Sequence, residues 1–168
     1  VVNGKVIGGR QGIGGEWGHN FLDNSGGKCY CGKTGCVETI ISGPALERYY
    51  RQISGQTKNL KEINLDYRNG TDQHATETME RLFYFFGKAI TVVINIVDPD
   101  AIVIGGGVGN IDEIYTLGVN EVKKHAGVNL MEGVEIDQFV KTPEGFTCSD
   151  KSGNYIIHAK LVIDGSGA

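Results

Sequence analysis

The sequence predicts an α/β fold, and three observations carry that expectation. An apolar run, Ala101-Ile102-Val103-Ile104, leads straight into a glycine turn and then a helical stretch, the strand–loop–helix unit from which α/β layers are built. A long segment after Asp72 places Met79, Leu82, Phe83, Phe86, Ile90, Val93, Ile94 and Val97 at helical spacing. Short β-forming stretches stand near both ends, around Val6-Ile7, at Val134–Val140 and at Tyr155–Ile163.

The elements follow in order. Asn3-Gly4 between Val1-Val2 and Lys5-Val6-Ile7 is a two-residue hairpin signal of type I′. A strand-like stretch is expected from Gly15 to Leu22. Residues 37–53 read as helical, with Val37, Ile40, Ile41, Leu46 and Tyr49 on one face and a break at Gly43-Pro44. The polar segment 54–70 holds at most a short helix near Leu60–Ile63. Asp72 can cap the long helix, which Asp98-Pro99 ends at Val97. The strand 101–104 reads as buried, and a helix from Ile111 to Ala126 follows the glycine turn. Phe83-Tyr84-Phe85-Phe86 reads as core or domain interface, not as a stacking platform. No internal repeat is visible, and 137–158, with Cys148, matches no motif.

Composition limits the function classes. The chain has 168 residues with a formal net charge of −4, which argues against a general nucleic-acid footprint. It contains no apolar run of membrane-spanning length. Hydrophobic residues at 40% and charged residues at 21% are those of an ordinary soluble domain. The 26 glycines are more than twice the usual share, but they cluster at 8–18, 26–35 and 105–109 and mark tight loops.

The chemistry concentrates in residues 15–38. Gly15-Glu16-Trp17-Gly18-His19 is followed after nine residues by Cys29-Tyr30-Cys31-Gly32-Lys33-Thr34-Gly35-Cys36-Val37-Glu38. His19, Cys29, Cys31 and Cys36 are the ligand set of a closed tetrahedral zinc site with no place for catalytic water. Two disulfides are the alternative reading of four cysteines. The one-residue gap between Cys29 and Cys31 disfavours that pairing, so Zn²⁺ and a reduced, cytoplasmic setting are expected. Cys148 reads as a spare thiol, and His74, His125 and His158 as histidines without metal. Glu16 and Glu38 bracket the ligands and are not needed by the metal. They read either as solvated or capping carboxylates or as groups that hold something else. Gly105-Gly106-Gly107-Val108-Gly109 can bring backbone N–H groups close to a ligand, or it can be a plain tight connection. It matches neither the P-loop nor a clean dinucleotide pattern.

Taken together, Gly-Glu-Trp-Gly-His, Cys-Tyr-Cys-Gly-Lys-Thr-Gly-Cys-Val-Glu-Thr and Ile-Val-Ile-Gly-Gly-Gly-Val resemble, in order and spacing, the ROK family of sugar kinases and repressors. Glu-Trp-Gly-His-Asn, Cys-Tyr-Cys-Gly-Lys and the run 93–100 are most similar to its bacterial fructokinase/mannokinase members. The resemblance implies an actin-like ATPase (ribonuclease H-like) C-terminal domain with a zinc-bearing loop. Residues 1–168 would then be the sugar- and zinc-binding half of a two-domain kinase, without its N-terminal nucleotide-binding half. It implies ATP- and Mg²⁺-dependent phosphorylation of a hexose. Glu16, His19 and Glu38 would reach sugar hydroxyls, and His19 would ligate zinc through its other nitrogen. Gly105, Gly106 and Gly107 would line the adenosine side.

The catalytic aspartate of the family lies upstream of Val1, so this chain alone is expected to be inactive. Residues 162–168 resemble the start of a closing segment whose final helix is missing. An isolated piece is therefore expected to form a homodimer or to be marginal. The alternative within the family is a sugar-sensing repressor, the one reading that admits nucleic acid as a partner.

Overall fold

The computed structural model describes residues 2, 4–126, 138–143, 145–149, 156–159 and 162–164. Helices outweigh strands among them. In chain order these are α1 (Glu38–Ile41), α2 (Gly43–Ser54), α3 (Leu60–Asn69), α4 (Gln73–Val97), β1 (Ala101–Val103), α5 (Gly106–Gly109), α6 (Leu117–Ala126), β2 (Gln138–Thr142), β3 (Gly145–Ser149), β4 (Ile156–Ala159) and β5 (Val162–Asp164).

Helix α4 is the axis of the core. Asp72 caps it, accepting from the backbone N–H groups of His74 at 2.9 Å and Ala75 at 3.2 Å. Ala75, Met79, Leu82, Phe83, Phe86, Ala89, Ile90 and Ile94 are buried along one broad face, the 3.6-residue pattern of a core-facing helix. Asp98 ends the helix at φ 43°, and Pro99 cannot extend it. Against this face pack α1, α2, α3 and α6. Burial of Phe83, Phe85 and Phe86, with Tyr84 more exposed, bears out the core reading of the aromatic run.

The other helices follow local signals. Ser42 accepts from Ala45 N–H and starts α2 with Pro44 in its first turn, so the helices part at Ser42, one residue before the break expected at Gly43-Pro44. Helix α3 is longer than the short helix expected. Asn59 and Glu62 form a reciprocal capping box at its start, and that pairing stabilises a ten-residue helix in a polar segment. Lys58 joins Asp66 and Asp72, each at 2.7 Å, and Tyr50 Oη donates to Asp72 at 2.6 Å. The start of α4 is thereby tied to α2 and α3.

Three expectations are corrected. Residues 15–22 are not a strand. Local bonds, Trp17 N–H to Gly15 O at 2.7 Å and Asn20 N–H to Trp17 O at 3.0 Å, wind Trp17–His19 into a 3₁₀ turn, and only Phe21 bridges a neighbour, Cys36. The helix expected over 111–126 is split into a 3₁₀ turn, Asp112–Tyr115, and α6. Arg68 grips Asp112 at 2.7 Å and Glu113 at 2.6 Å, and Tyr115 Oη donates to Gly109 O at 2.7 Å. Strand β1 is half-buried rather than buried.

Strand β1 pairs in parallel with β5, with Ile102 opposite Ile163, while β2, β3 and β4 form an antiparallel sheet in which Val140 faces Thr147. The hairpin β2–β3 had no motif to announce it. The strand expected at 134–140 is described only from residue 138, and the one at 155–163 divides into β4 and β5. At the N-terminal turn Val2 and Lys5 exchange backbone bonds of 2.8 and 3.0 Å, while Val1 and Asn3 lie outside the described residues. So does the expected closing segment beyond residue 164.

Candidate metal centre

Three backbone segments build the site. The 3₁₀ turn sets Glu16 and His19 three residues apart, where side chains eclipse. A tight turn follows, with Cys29 N–H donating to Lys33 O at 2.8 Å and Gly32 N–H to Cys29 O at 3.1 Å. The chain then returns beside the first segment. Leu22 N–H donates to Gly35 O at 2.7 Å and Val37 N–H to Asn20 O at 2.9 Å. This places Cys36 next to His19 and starts α1 at Glu38.

The ligand atoms of His19, Cys29, Cys31 and Cys36 all lie within 4.8 Å of one another. His19 Nδ1 is 3.5 Å from Cys29 Sγ, and Cys31 Sγ is 3.6 Å from Cys36 Sγ. Zn–S and Zn–N bonds at tetrahedral angles would separate S from N by about 3.5 Å and S from S by about 3.8 Å. The donor set and its spacing therefore fit one tetrahedral metal ion, and the three cysteines are free thiols, not disulfides. Burial pushes the Cys36 thiol up to about 12, while the Lys33 backbone N–H draws Cys31 down.

The carboxylates surround the imidazole. Glu16 Oε2 is 3.7 Å from His19 Nε2, and Glu38 Oε2 is 3.9 Å from Nδ1. The His19 side chain is 17% exposed, whereas Glu16 and Glu38 are 62% and 41% exposed. The ring is held by the protein, and both carboxylates open outward. Trp17 packs half-buried against the core. Gly105, Gly106 and Gly107 form a turn at the end of β1, with Gly105 capping the four-residue α5. His74 lies at the start of α4 and His125 faces Glu121 at 3.9 Å; neither is among the clustered ligands. His158 and Cys148 fall where side chains are not described.

Two contacts escaped sequence reading. Tyr30 Oη is 2.8 Å from His19 Nε2, and no spacing rule announces that return. Arg81 reaches from α4 to Ser25 Oγ at 2.8 Å, with its guanidinium carbon 4.5 Å from the Tyr49 ring and 4.7 Å from the Phe85 ring. Ser25 in turn donates to Asp23, an Asx turn legible in Asp23-x-Ser25. Arg81 thus struts the metal loop against the core.

This fold and cluster define a ROK-family domain: the family's sequence profile matches residues 1–143, and the chain belongs to that family. In particular, it is 35% identical over 127 residues to the N-acetyl-D-glucosamine kinase of Pectobacterium carotovorum, covering 70% of this chain and 41% of the relative. The ROK hexokinase of Thermus thermophilus superposes with a TM-score of 0.67 at 28% identity, over 72% of this chain and 41% of that one. A ROK-family transcriptional regulator, a homologue of the E. coli MLC protein, superposes with a TM-score of 0.60 at 29% identity, over 75% and 34%. The chain spans about two-fifths of the length of the kinases it matches. The structural neighbours place the domain in the actin-like ATPase fold of ROK sugar kinases.

Proposed function

We propose that this chain is the sugar- and zinc-binding part of a ROK sugar kinase that transfers the ATP γ-phosphoryl group to a hexose hydroxyl with Mg²⁺. His19, Cys29, Cys31 and Cys36 hold Zn²⁺. Glu16, His19 and Glu38 bind hexose hydroxyls, and Gly105, Gly106 and Gly107 line the adenosine side.

One observation carries the reading: His19 turns Nδ1 to the cysteines and Nε2 outward, beside the exposed Glu16 carboxylate. A zinc ion on Nδ1 supplies rigidity and fixes the remaining ring proton on Nε2. Nε2–H then donates to a sugar oxygen, while the carboxylates accept from sugar hydroxyls in charge-assisted bonds. Such transfers rest on positioning and electrostatics, and a general base adds about 10²–10⁴-fold.

Four of the chain's aspartates have other duties. Asp23 holds Ser25, Asp66 and Asp72 hold Lys58, and Asp98 ends α4. None of these four is free to act as the base, in keeping with a base from another part of the intact kinase and an isolated chain without turnover. Fructose, mannose, glucose and N-acetylated hexosamines are the candidate sugars, and the N-acetyl-D-glucosamine kinase relative supports the last of these.

The test is Glu16→Gln in the intact protein across a hexose panel. Losing a charge-assisted bond raises KM roughly ten- to a hundredfold at unchanged zinc content; an unchanged KM for every sugar overturns the hexose site. The likeness to the transcriptional regulator favours a second reading, a sugar-sensing repressor. Hexose-dependent DNA binding without ATP turnover by the intact protein distinguishes it.

A further inference from the structure

Tyr30 stands between two ligands, Cys29 and Cys31, at the tip of the metal loop. The residue is 81% exposed, so packing does not hold it. What it meets is His19: the rings stand edge to face, 4.9 Å between centroids and 89° between planes, with Tyr30 Oη 2.8 Å from Nε2. A phenol oxygen is a hydroxyl on carbon, with the same donor and acceptor capacity as a sugar hydroxyl. It sits on the ring nitrogen that Glu16 also flanks at 3.7 Å.

From this geometry we propose that Tyr30 is a further residue of the hexose site, its hydroxyl occupying the position of a sugar hydroxyl on His19 until hexose displaces it. The inference rests on the hexose reading above. With Nδ1 turned to the cysteines, Nε2–H is the one donor the imidazole offers, and it serves one good acceptor at a time. Hexose and Tyr30 therefore compete. The apparent affinity for sugar is reduced by the fraction of molecules in which Tyr30 holds the site. An exposed ring can swing away without leaving a cavity, so the competition is set mainly by one hydrogen bond. That bond is worth about two- to tenfold in affinity.

The test is Tyr30→Phe in the intact protein, with calorimetric titration of glucose and N-acetylglucosamine. Phenylalanine keeps the ring against His19 and removes only the oxygen. Binding of at least one of these sugars is expected to tighten about two- to tenfold, with zinc content retained. Tighter binding is a result that structural damage does not produce. Equal or weaker binding of both overturns the competition, weaker binding showing instead that Tyr30 holds the sugar. Glu16→Gln separates the two levels. If it weakens binding while Tyr30→Phe does not tighten it, only the role of Tyr30 falls. If it changes nothing, the hexose site falls and this inference with it.

Discussion

Gly35 passes Asp23 so closely that a Cβ at position 35 would stand 2.3 Å from the Asp23 carbonyl oxygen. Its φ of +76° is also one that side-chain-bearing residues rarely adopt. This crossing is where the returning segment of the cysteine loop meets the turn that Arg81 struts, and Cys36 is the next residue. Gly35→Ala is therefore expected to cost about 1–3 kcal/mol in backbone strain alone. The damage lands on the ligand geometry. A chelator competition should strip zinc from this variant at lower chelator concentration than from the parent.

Metal content tests the cluster directly. The intact protein should carry about one zinc per chain, and Cys36→Ser should carry none. Cys36 is fully buried, so no solvent would stand in for its sulfur around a bound ion. Zinc binding is worth roughly 10–16 kcal/mol in small finger peptides. In a domain with its own core, zinc removal should loosen residues 15–38 and leave α4 folded. Hydrogen exchange confined to that loop is the expected readout.

The Asp72 carboxyl carries a pH signature. Hydrogen bonds from Lys58 first and Tyr50 second hold it well below the usual carboxylate range. A folded value below the unfolded one, near 3.9, means that the stabilisation is complete at neutral pH. It is lost as pH falls below about 4 towards the folded value. Asp72→Asn keeps the capping oxygen and loses the charge. It is expected to cost about 1–2 kcal/mol at pH 7 and distinctly less at pH 3, measured by urea unfolding at both.

The packing of α4 on α6 has its own test. Gly87 lies against Glu121, where an added Cβ would fall 2.8 Å from the Glu121 carbonyl carbon. Helix propensity alone would make Gly87→Ala stabilising by up to about 1 kcal/mol. Here the helices must part, and overpacking costs about 1–3 kcal/mol. Thermal unfolding of Gly87→Ala decides by sign: a higher Tm would mean that α6 moves freely.

The two kinds of information divide along physical lines. Local determinants were legible. Asp72 caps α4 with its own carboxylate and Asp98-Pro99 stops it, both through groups within a few residues. The candidate metal ligands stood out in the sequence because thiols and imidazole at close spacing have few other reasons to be together, and the fold does bring their donor atoms within 4.8 Å of one another. The capping box of Asn59 and Glu62 was equally local but lay in a segment whose polarity masks it. The 3₁₀ turn at Trp17–His19 was not read, since its residues suit a strand equally well and no capping side chain announces the short-range backbone bonds that wind it.

By itself, then, the sequence determined which donors exist, where the long helix begins and ends, and the family to which the chain belongs. Tertiary structure decided what those donors face. It turned one nitrogen of His19 to the cysteines and the other to Tyr30, and it left Glu16 and Glu38 open. It also braced the loop through Arg81, 56 residues beyond Ser25. The reason is that ligand chemistry belongs to single residues. Orientation comes from contacts between residues that sequence spacing does not relate, and those form only when the chain has folded.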